Sequence, residues 1–300
     1  MNKMPYTRLH ASGPEISRIV QGFGGIPRKE KHDANTLAAY LDACLDAGIT
    51  AFDTAAVYGG GASECALGEV FARRPDMRGR VTVITKYGIE GGGPGYHCYN
   101  TSKDAIVKSA ERSLWRMNIE CIDILLMHRP DMLMDADEVA AALTKLKDDG
   151  KVLHFGVSNF LPFQYELLQS RLAFPLITNE IPYSLFDMGM QENGVLDQCQ
   201  RLRIAPLYYS PLGGGRLFKP ASADDQRLHN VLNDIAAEHG GVPIEQIAIA
   251  WILKHPAGGA AIIGSSKTER MRDAAGGASI SLSRDQWFRL WTAAKGHEIP

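Results

Sequence analysis

Several things are missing from this sequence, and each absence removes a class of function. No unbroken apolar stretch reaches the roughly 18 residues a membrane-spanning helix needs. Met1 to His10 carries no apolar core of a secretory leader, so the expected location is the cytoplasm. There is no C-x-x-C. The five cysteines, Cys44, Cys65, Cys98, Cys121 and Cys199, are odd in number and widely spaced. That pattern favours free thiols in a reducing compartment over a disulfide framework or a structural zinc site. Strong charge of either sign is also missing. Lys and Arg number 32 against 34 Asp and Glu, a net charge of −2, so nothing electrostatic points to nucleic acid or an anionic membrane as a partner. His10, His32, His154, His229, His239, His255 and His297 fall at no metal-ligand spacing, and no metal is expected. Nor is there a Walker A motif or a complete G-x-G-x-x-G. Gly22-Phe-Gly-Gly-Ile-Pro27 has proline where the third glycine belongs, so P-loop and Rossmann modes of nucleotide binding are unsupported.

What is present is ordinary in composition and ordered in pattern. The chain is 45% hydrophobic and 22% charged, as globular proteins are. Its 300 residues can bury a large core, as one α/β domain or two. Tyr6–His10 and Glu15–Arg18 read as a hairpin turning at Ser12-Gly13-Pro14. Short β-branched or apolar runs then recur near Ile19–Phe23, Thr50–Asp53, Val81–Lys86, Ile122–His128, Phe155–Ser158, Leu176–Asn179, Ala205–Ser210 and Ala261–Gly264.

Helical spacing fills the gaps. Leu37, Tyr40, Leu41, Cys44 and Leu45 form one apolar stripe, and Gly48 stands where that helix should stop. Ser63 is placed to cap a helix carrying Leu67, Val70 and Phe71. Thr101 or Ser102 is placed to cap one whose inner face is Ile106, Ala110, Leu114 and Met117. Asp135, Asp137 and Glu138 precede Lys145 and Lys147, with Gly150 after them, the charge order a helix dipole favours. Eight strands alternating with helices over about 250 residues fit a (β/α)8 TIM barrel better than a doubly wound sheet. No linker divides residues 1–300, so one domain is expected. Its embellishments are the N-terminal β-hairpin, a Gly-rich loop at Gly88–Asn100, a loop at Pro211–Asp224 and an extra C-terminal helix near Arg284–Lys295.

In such a barrel the carboxyl ends of the strands converge on the active site. Three of these strands end in ionisable residues: Asp53, Lys86 and His128. Tyr58 follows the first, in Asp53-Thr-Ala-Ala-Val-Tyr58-Gly-Gly-Gly61. A tyrosine hydroxyl, with an ordinary pKa of about 10, is a poor donor at neutral pH. A nearby ammonium stabilises its phenolate, and an adjacent carboxylate keeps that ammonium charged. A histidine can donate to a carbonyl oxygen and orient it. The set is suited to protonating a carbonyl oxygen, and it needs a hydride donor beside it. Each residue also admits a plainer role: a rim ion pair for Asp53 and Lys86, a loop anchor for Tyr58, a hydrogen-bonded core histidine for His128.

Asp53-Thr-Ala-x-x-Tyr58-Gly resembles the signature of the aldo-keto reductase superfamily, and the order Asp, Tyr, Lys, His matches that family's catalytic tetrad. Gly156-Val-Ser-Asn-Phe160, Tyr209-Ser-Pro-Leu-Gly-Gly-Gly215 and Ile262-Ile-Gly-Ser-Ser-Lys267 followed by Arg270 are similar to further family motifs. The resemblance runs from about Arg18 to Lys295. The stretches from His128 to Val139 and from Gly213 to Phe218 are most similar to the bacterial YdhF-like oxidoreductase branch.

The resemblance implies reduction of an aldehyde or ketone, a small-molecule carbonyl substrate, by NADPH. The chain would be a monomer or a small homo-oligomer. Tyr58 would be the general acid, tuned by Lys86 and Asp53, with His128 positioning the carbonyl. Nicotinamide would stack on Tyr209, and its carboxamide would meet Ser158 and Asn159. Ser210, Leu212, Gly213 and Gly264 would complete the cradle. The adenosine 2′-phosphate would sit on Ser265, Ser266, Lys267 and Arg270, which as hydroxyls and cations at a helix start suit a phosphate in their own right.

Two positions depart from the family pattern. Glu180 stands where a carboxamide-binding glutamine is common; when ionised it can accept but not donate. Ala274 stands where many members have an adenine-contacting asparagine. Tyr96, His97 and Tyr99 are candidates for the substrate pocket. Trp287 and Trp291, at i and i+4, either line that pocket or fasten the last helix to the barrel. Two other chemistries compete. A non-catalytic NADPH-binding regulatory subunit is disfavoured by the intact tetrad. A lyase forming a Schiff base on Lys86 is disfavoured by Asp53, which should keep that lysine protonated.

Overall fold

Strand and helix alternate along the chain, and the strands close on themselves. The structure is a computed structural model that describes residues 3–25, 33–91 and 96–299. An antiparallel hairpin, β1 (Tyr6–Arg8) and β2 (Glu15–Ser17), comes first. The barrel strands are β3 (Ile19–Gly22), β4 (Ala51–Asp53), β5 (Thr82–Tyr87), β8 (Ile122–Met127), β9 (Val152–Ser158), β10 (Leu176–Pro182), β11 (Leu207–Tyr209) and β12 (Ala260–Ile263). All eight pair in parallel, with β12 closing on β3. Two further short strands, β6 (Ile89–Gly91) and β7 (His97–Tyr99), follow β5 and pair antiparallel as a separate two-stranded sheet. Pro27, His32 and the glycines of 92–95 lie outside the described residues.

The strand sequences explain which residues face inward. Alternation along a strand sends successive side chains to opposite faces. In β5, Val83 packs outward against helices, Ile84 inward, Thr85 outward and Lys86 inward. In β4, Ala51 and Asp53 face in while Phe52 faces out. The interior is therefore a small apolar plug of Val20, Ala51, Ile84, Ile124, Leu126 and Ile177 with their neighbours. Leu9 and Ile16 of the N-terminal hairpin join this plug and close one end of the barrel. Each such fully buried Ile or Leu stabilises the fold by about 1.5–3 kcal/mol. Polar residues occupy the other end.

Strand β10 breaks the alternation. Its register with β9 shifts between Leu176 and Asn179, a β-bulge. Ile177 and Glu180 stand three apart and would point oppositely in a regular strand. The extra residue brings both inside the barrel.

The helices start and stop where the sequence says. Asp33 caps Ala34–Asp46 through the amides of Asn35 and Thr36, and Gly48 follows at φ +81°. Asp135 caps Ala136–Asp148 through Asp137 and Glu138, and Gly150 adopts φ +69°. Ser102 is the N-cap residue of Lys103–Met117, without a side-chain cap bond, while Thr101 bonds Asp131 instead.

The predicted cap at Ser63 is not formed. The helix Ala62–Arg73 begins two residues earlier than a Ser63 cap would set it, after a tight Tyr58–Gly61 turn that ends in Gly61 at φ +97°. Ser63 is buried within the helix and bonds Thr54 and the Phe23 carbonyl. The positive φ of Gly61 is what requires glycine in that turn; the Arg116 guanidinium lies 2.6 Å from where a Cβ would stand.

The C-terminal helix is Arg284–Lys295, capped by Ser283 and Gln286 in a reciprocal capping box. Trp287 fastens it to the helix Ile244–Leu253. Its ring stacks on Trp251 at 4.9 Å and 8°, and each indole N–H donates to the other residue's carbonyl. Fastening, not pocket lining, is thus the role of Trp287. All five cysteines are free. No helix among the described residues is long and apolar enough to cross a membrane.

Candidate active site

The polar end of the barrel gathers the sequence's four candidate residues. Asp53 ends β4, Lys86 lies near the end of β5, and His128 follows β8 directly. Tyr58 lies in the loop after β4, which the Ala56 amide ties to the Lys86 carbonyl at 3.1 Å. Lys86 Nζ donates to both oxygens of Asp53, at 2.7 and 2.6 Å, and to the Thr54 carbonyl at 3.0 Å. The same Nζ stands 5.3 Å from the centre of the Tyr58 ring. The Tyr58 and His128 rings meet edge to face, 5.7 Å apart at 82°. The structure therefore brings all four together.

Burial sets the charge states. Desolvation would strip the proton from Lys86, but the carboxylates of Asp53 and Glu180 more than offset it, and the ammonium is held above its ordinary range. Desolvation and the Lys86 charge depress His128 to about 3, so it is a neutral imidazole at working pH.

Tyr58 departs from the expectation that Lys86 would make it more acidic on balance. Burial pushes its hydroxyl up to about 12; Lys86 pulls it down, while Asp53 and Glu180 push it further up. In the chain alone the tyrosine is a fully protonated donor, and Lys86 limits how weak an acid it becomes.

Glu180 is the group that sequence reasoning placed only against a cofactor. In the structure it faces Lys86 from β10, with Oε2 3.2 Å from Nζ. Burial and the neighbouring Asp53 raise its carboxyl to about 8 against the pull of Lys86.

The expected cofactor residues form a cradle along one side of the mouth. The Ser158 hydroxyl donates to the Glu180 carbonyl, and Asn159 donates to the Ser158 hydroxyl and the His128 carbonyl. The half-buried Tyr209 donates to the Asn159 side-chain oxygen at 2.8 Å, and Arg129 lies beside its hydroxyl. Asn159 and Ser210 adopt φ +64° and +54°. Left-handed backbone on residues other than glycine costs energy and concentrates at ligand sites. Leu212 and Gly213 continue the loop after β11, into the turn Gly213–Phe218.

Gly264 to Lys267 follow β12, and Arg270 lies in the first turns of the helix Thr268–Gly276. Gly264, Lys267 and Arg270 are exposed, and Ser265 and Ser266 half-exposed, facing open space. A cluster of hydroxyls, cations and amides open to solvent fits a phosphate, and the half-buried Tyr209 face fits a flat ring. The residues present therefore fit a phosphorylated nicotinamide cofactor. Ala274 is buried in the core and offers no polar contact there.

Three sets of supporting residues were not found from sequence. Tyr40 and Gln21 both donate to the Ser265 carbonyl, at 2.5 and 3.1 Å, and so fix the loop that follows β12. The signal was there, in a lone glutamine within the apolar strand Ile19-Val-Gln-Gly22. Glu64, fully buried, accepts from Thr85 at 2.6 Å and from Arg116 at 3.0 Å, bracing the loop of Tyr58 from behind. Arg129 beside Tyr209 had no local signal. Tyr96, His97 and Tyr99 are all exposed and enter no contact described above with the tetrad.

Comparison with known proteins agrees with this geometry. The model of the Aldo/keto reductase family matches residues 18–294. The chain is 43% identical to the oxidoreductase YdhF of Escherichia coli, with 96% of this chain and 97% of that protein covered. It is 40% identical to the uncharacterized oxidoreductase YcsN of Bacillus subtilis, covering 95% and 97%. It is 39% identical to a 6-dehydroglucose reductase of Agrobacterium fabrum, covering 95% and 96%. A crystal structure of a thermostable aldo-keto reductase with the inhibitor epalrestat superposes with a TM-score of 0.82 at 26% identity, covering 97% of this chain and all of that one. The glycerol dehydrogenase of Gluconobacter oxydans, at 24% identity and a TM-score of 0.85, shares the fold. The chain belongs to the aldo/keto reductase family, whose members reduce carbonyls with nicotinamide cofactors.

Proposed function

We propose that this protein reduces an aldehyde or ketone to the alcohol with NADPH, and that Tyr58 is the proton donor. The observation that carries this reading is the single contact group in which Lys86, gripped by both oxygens of Asp53, stands over the Tyr58 ring while a neutral His128 meets that ring edge-on. Bound NADPH supplies the hydride. The chain's own part is the proton. Tyr58 carries one throughout the neutral range and gives it to the substrate oxygen. Lys86 stabilises the phenolate left behind, and Asp53 keeps Lys86 charged without leaving either buried ion alone. His128, being neutral, donates to the same oxygen and fixes its direction.

Ser158, Asn159 and Tyr209 would hold the nicotinamide end, with Ser210, Leu212, Gly213 and Gly264 along its length. Ser265, Ser266, Lys267 and Arg270 would hold the 2′-phosphate and so favour NADPH over NADH. The Schiff-base alternative requires an uncharged Lys86, and two buried carboxyl groups hold it as the ammonium.

The test is NADPH oxidation across a panel of aldehydes and ketones that includes 6-dehydroglucose, after fluorescence titration of the cofactor. Turnover that disappears in Tyr58→Phe supports the reading. Tight NADPH binding with no turnover on any carbonyl overturns it in favour of a cofactor-binding regulatory subunit.

A further inference from the structure

The buried ion pair of this site has a third member. Lys86 brings one positive charge, and Asp53 answers it with two short hydrogen bonds. Glu180 adds a second carboxyl whose side chain is only 4% exposed. Its Oε2 lies 3.2 Å from Lys86 Nζ, yet no donor hydrogen bonds to that oxygen. Two ionised carboxylates against one ammonium would leave an uncompensated negative charge in a dry interior, a costly arrangement. A proton on Glu180 removes that charge, and a protonated Glu180 donates to Asp53, which strengthens Asp53 as the partner of Lys86. Asp53 takes the short bonds and keeps the charge; Glu180 keeps the proton.

The surroundings of Glu180 decide what its ionisation would do. Asp53 faces it from β4, Lys86 from β5, Tyr58 from the loop after β4, and Tyr209 from β11 with Arg129 beside it. His128, beyond Lys86, stays neutral above about 3 and adds no charge.

We propose that Glu180 is a pH-sensitive positioning residue that rests with its proton on, and that losing this proton turns the field of Lys86 away from Tyr58 and weakens the tyrosine as a proton donor. This rests on the reading of Tyr58 as the donor. The direction follows from sign alone: a second negative charge beside Lys86 stabilises the neutral phenol over the phenolate. A glutamine here would hold the same shape with no charge to gain.

Glu180→Gln in the full-length protein tests this in three readouts. The first is the infrared difference spectrum, wild type minus variant, without cofactor. A carboxylic-acid carbonyl band present near pH 6 and gone near pH 10 is expected. The second is the ultraviolet tyrosinate titration, assigned by its loss in Tyr58→Phe. Tyr58 is expected to ionise at lower pH in Glu180→Gln than in wild type. The third is the pH profile of kcat, in which the ratio of variant to wild-type rate rises by about fivefold or more between about pH 6 and 10.

A missing acid band near pH 6, an unmoved Tyr58 titration, or parallel kcat profiles overturns the proposal while leaving carbonyl reduction intact. Absence of any NADPH-dependent turnover overturns the functional reading instead, and the first two readouts still judge Glu180.

Discussion

Two ends of the proposed ligand cradle are built on opposite principles. At the mouth of β4, β5 and β10, Asp53, Lys86 and Glu180 are buried and packed together, with the Asp53–Lys86 ion pair already formed. Beyond β12, Lys267 and Arg270 are exposed and the space above Gly264 is open. The first end is organised before any ligand arrives, so its electrostatics cost nothing to assemble at the moment of reaction. Under the proposed reading, the second would keep its cations hydrated until a phosphate displaced the water. Mutations at the first end should therefore damage the fold and the chemistry together, whereas those at the second should change affinity alone.

The largest expected effect sharpens this contrast. Lys86→Met leaves Asp53 buried without its cation and should destabilise the protein by about 3–5 kcal/mol in urea unfolding, besides abolishing turnover. Unfolding at wild-type denaturant concentration would break the distinction between the two ends. Tyr58→Phe comes next: kcat is expected to fall by about 10³-fold, with the NADPH Kd from fluorescence titration nearly unchanged. At the exposed end, Lys267→Ala and Arg270→Ala should each raise the NADPH Kd by about tenfold or more, leave the NADH Kd in place, and leave the melting temperature alone. Ser265→Ala, which removes one neutral hydroxyl, should cost about two- to tenfold in the same titration.

A pH test separates the ends as well. The folded chain holds His128 depressed to about 3 against an ordinary 6.5, so the unfolded chain takes up that proton first as the pH falls. The stability tied to neutral His128 is complete above 6.5 and is lost as pH drops toward about 3. Glu180 runs the other way. Its contribution is complete below 4.5 and fades as pH climbs toward about 8. Melting curves of His128→Gln should be flatter than wild type on the acid side, and no change in the exposed cluster should alter either limb.

Much of the barrel was legible because local rules governed it. β-branched runs gave the strands, and Asp53, Lys86 and His128 appeared at their ends because a regular strand places its last inward residue at the mouth. Asp135 and Gly150 marked helix ends through caps that act within a few residues. The rest depended on distant chain. Ser63 looked like a cap, but the helix begins after the left-handed Gly61, and the Ser63 hydroxyl turns inward to Thr54 and the Phe23 carbonyl, 9 and 40 residues away. Glu180 reaches Lys86 only because a bulge in β10 restores its inward face and closure of the barrel brings β10 opposite β5. The net acidity of Tyr58 turned on burial, which no spacing reveals.

The paired indoles of Trp251 and Trp287 give the molecule a built-in optical reporter. Two rings stacked 4.9 Å apart at 8° couple their transitions, so the near-ultraviolet circular dichroism of this pair vanishes when the last helix undocks. Because it is made by packing on the outer shell, that signal follows detachment of the terminus separately from events in the mouth of the barrel.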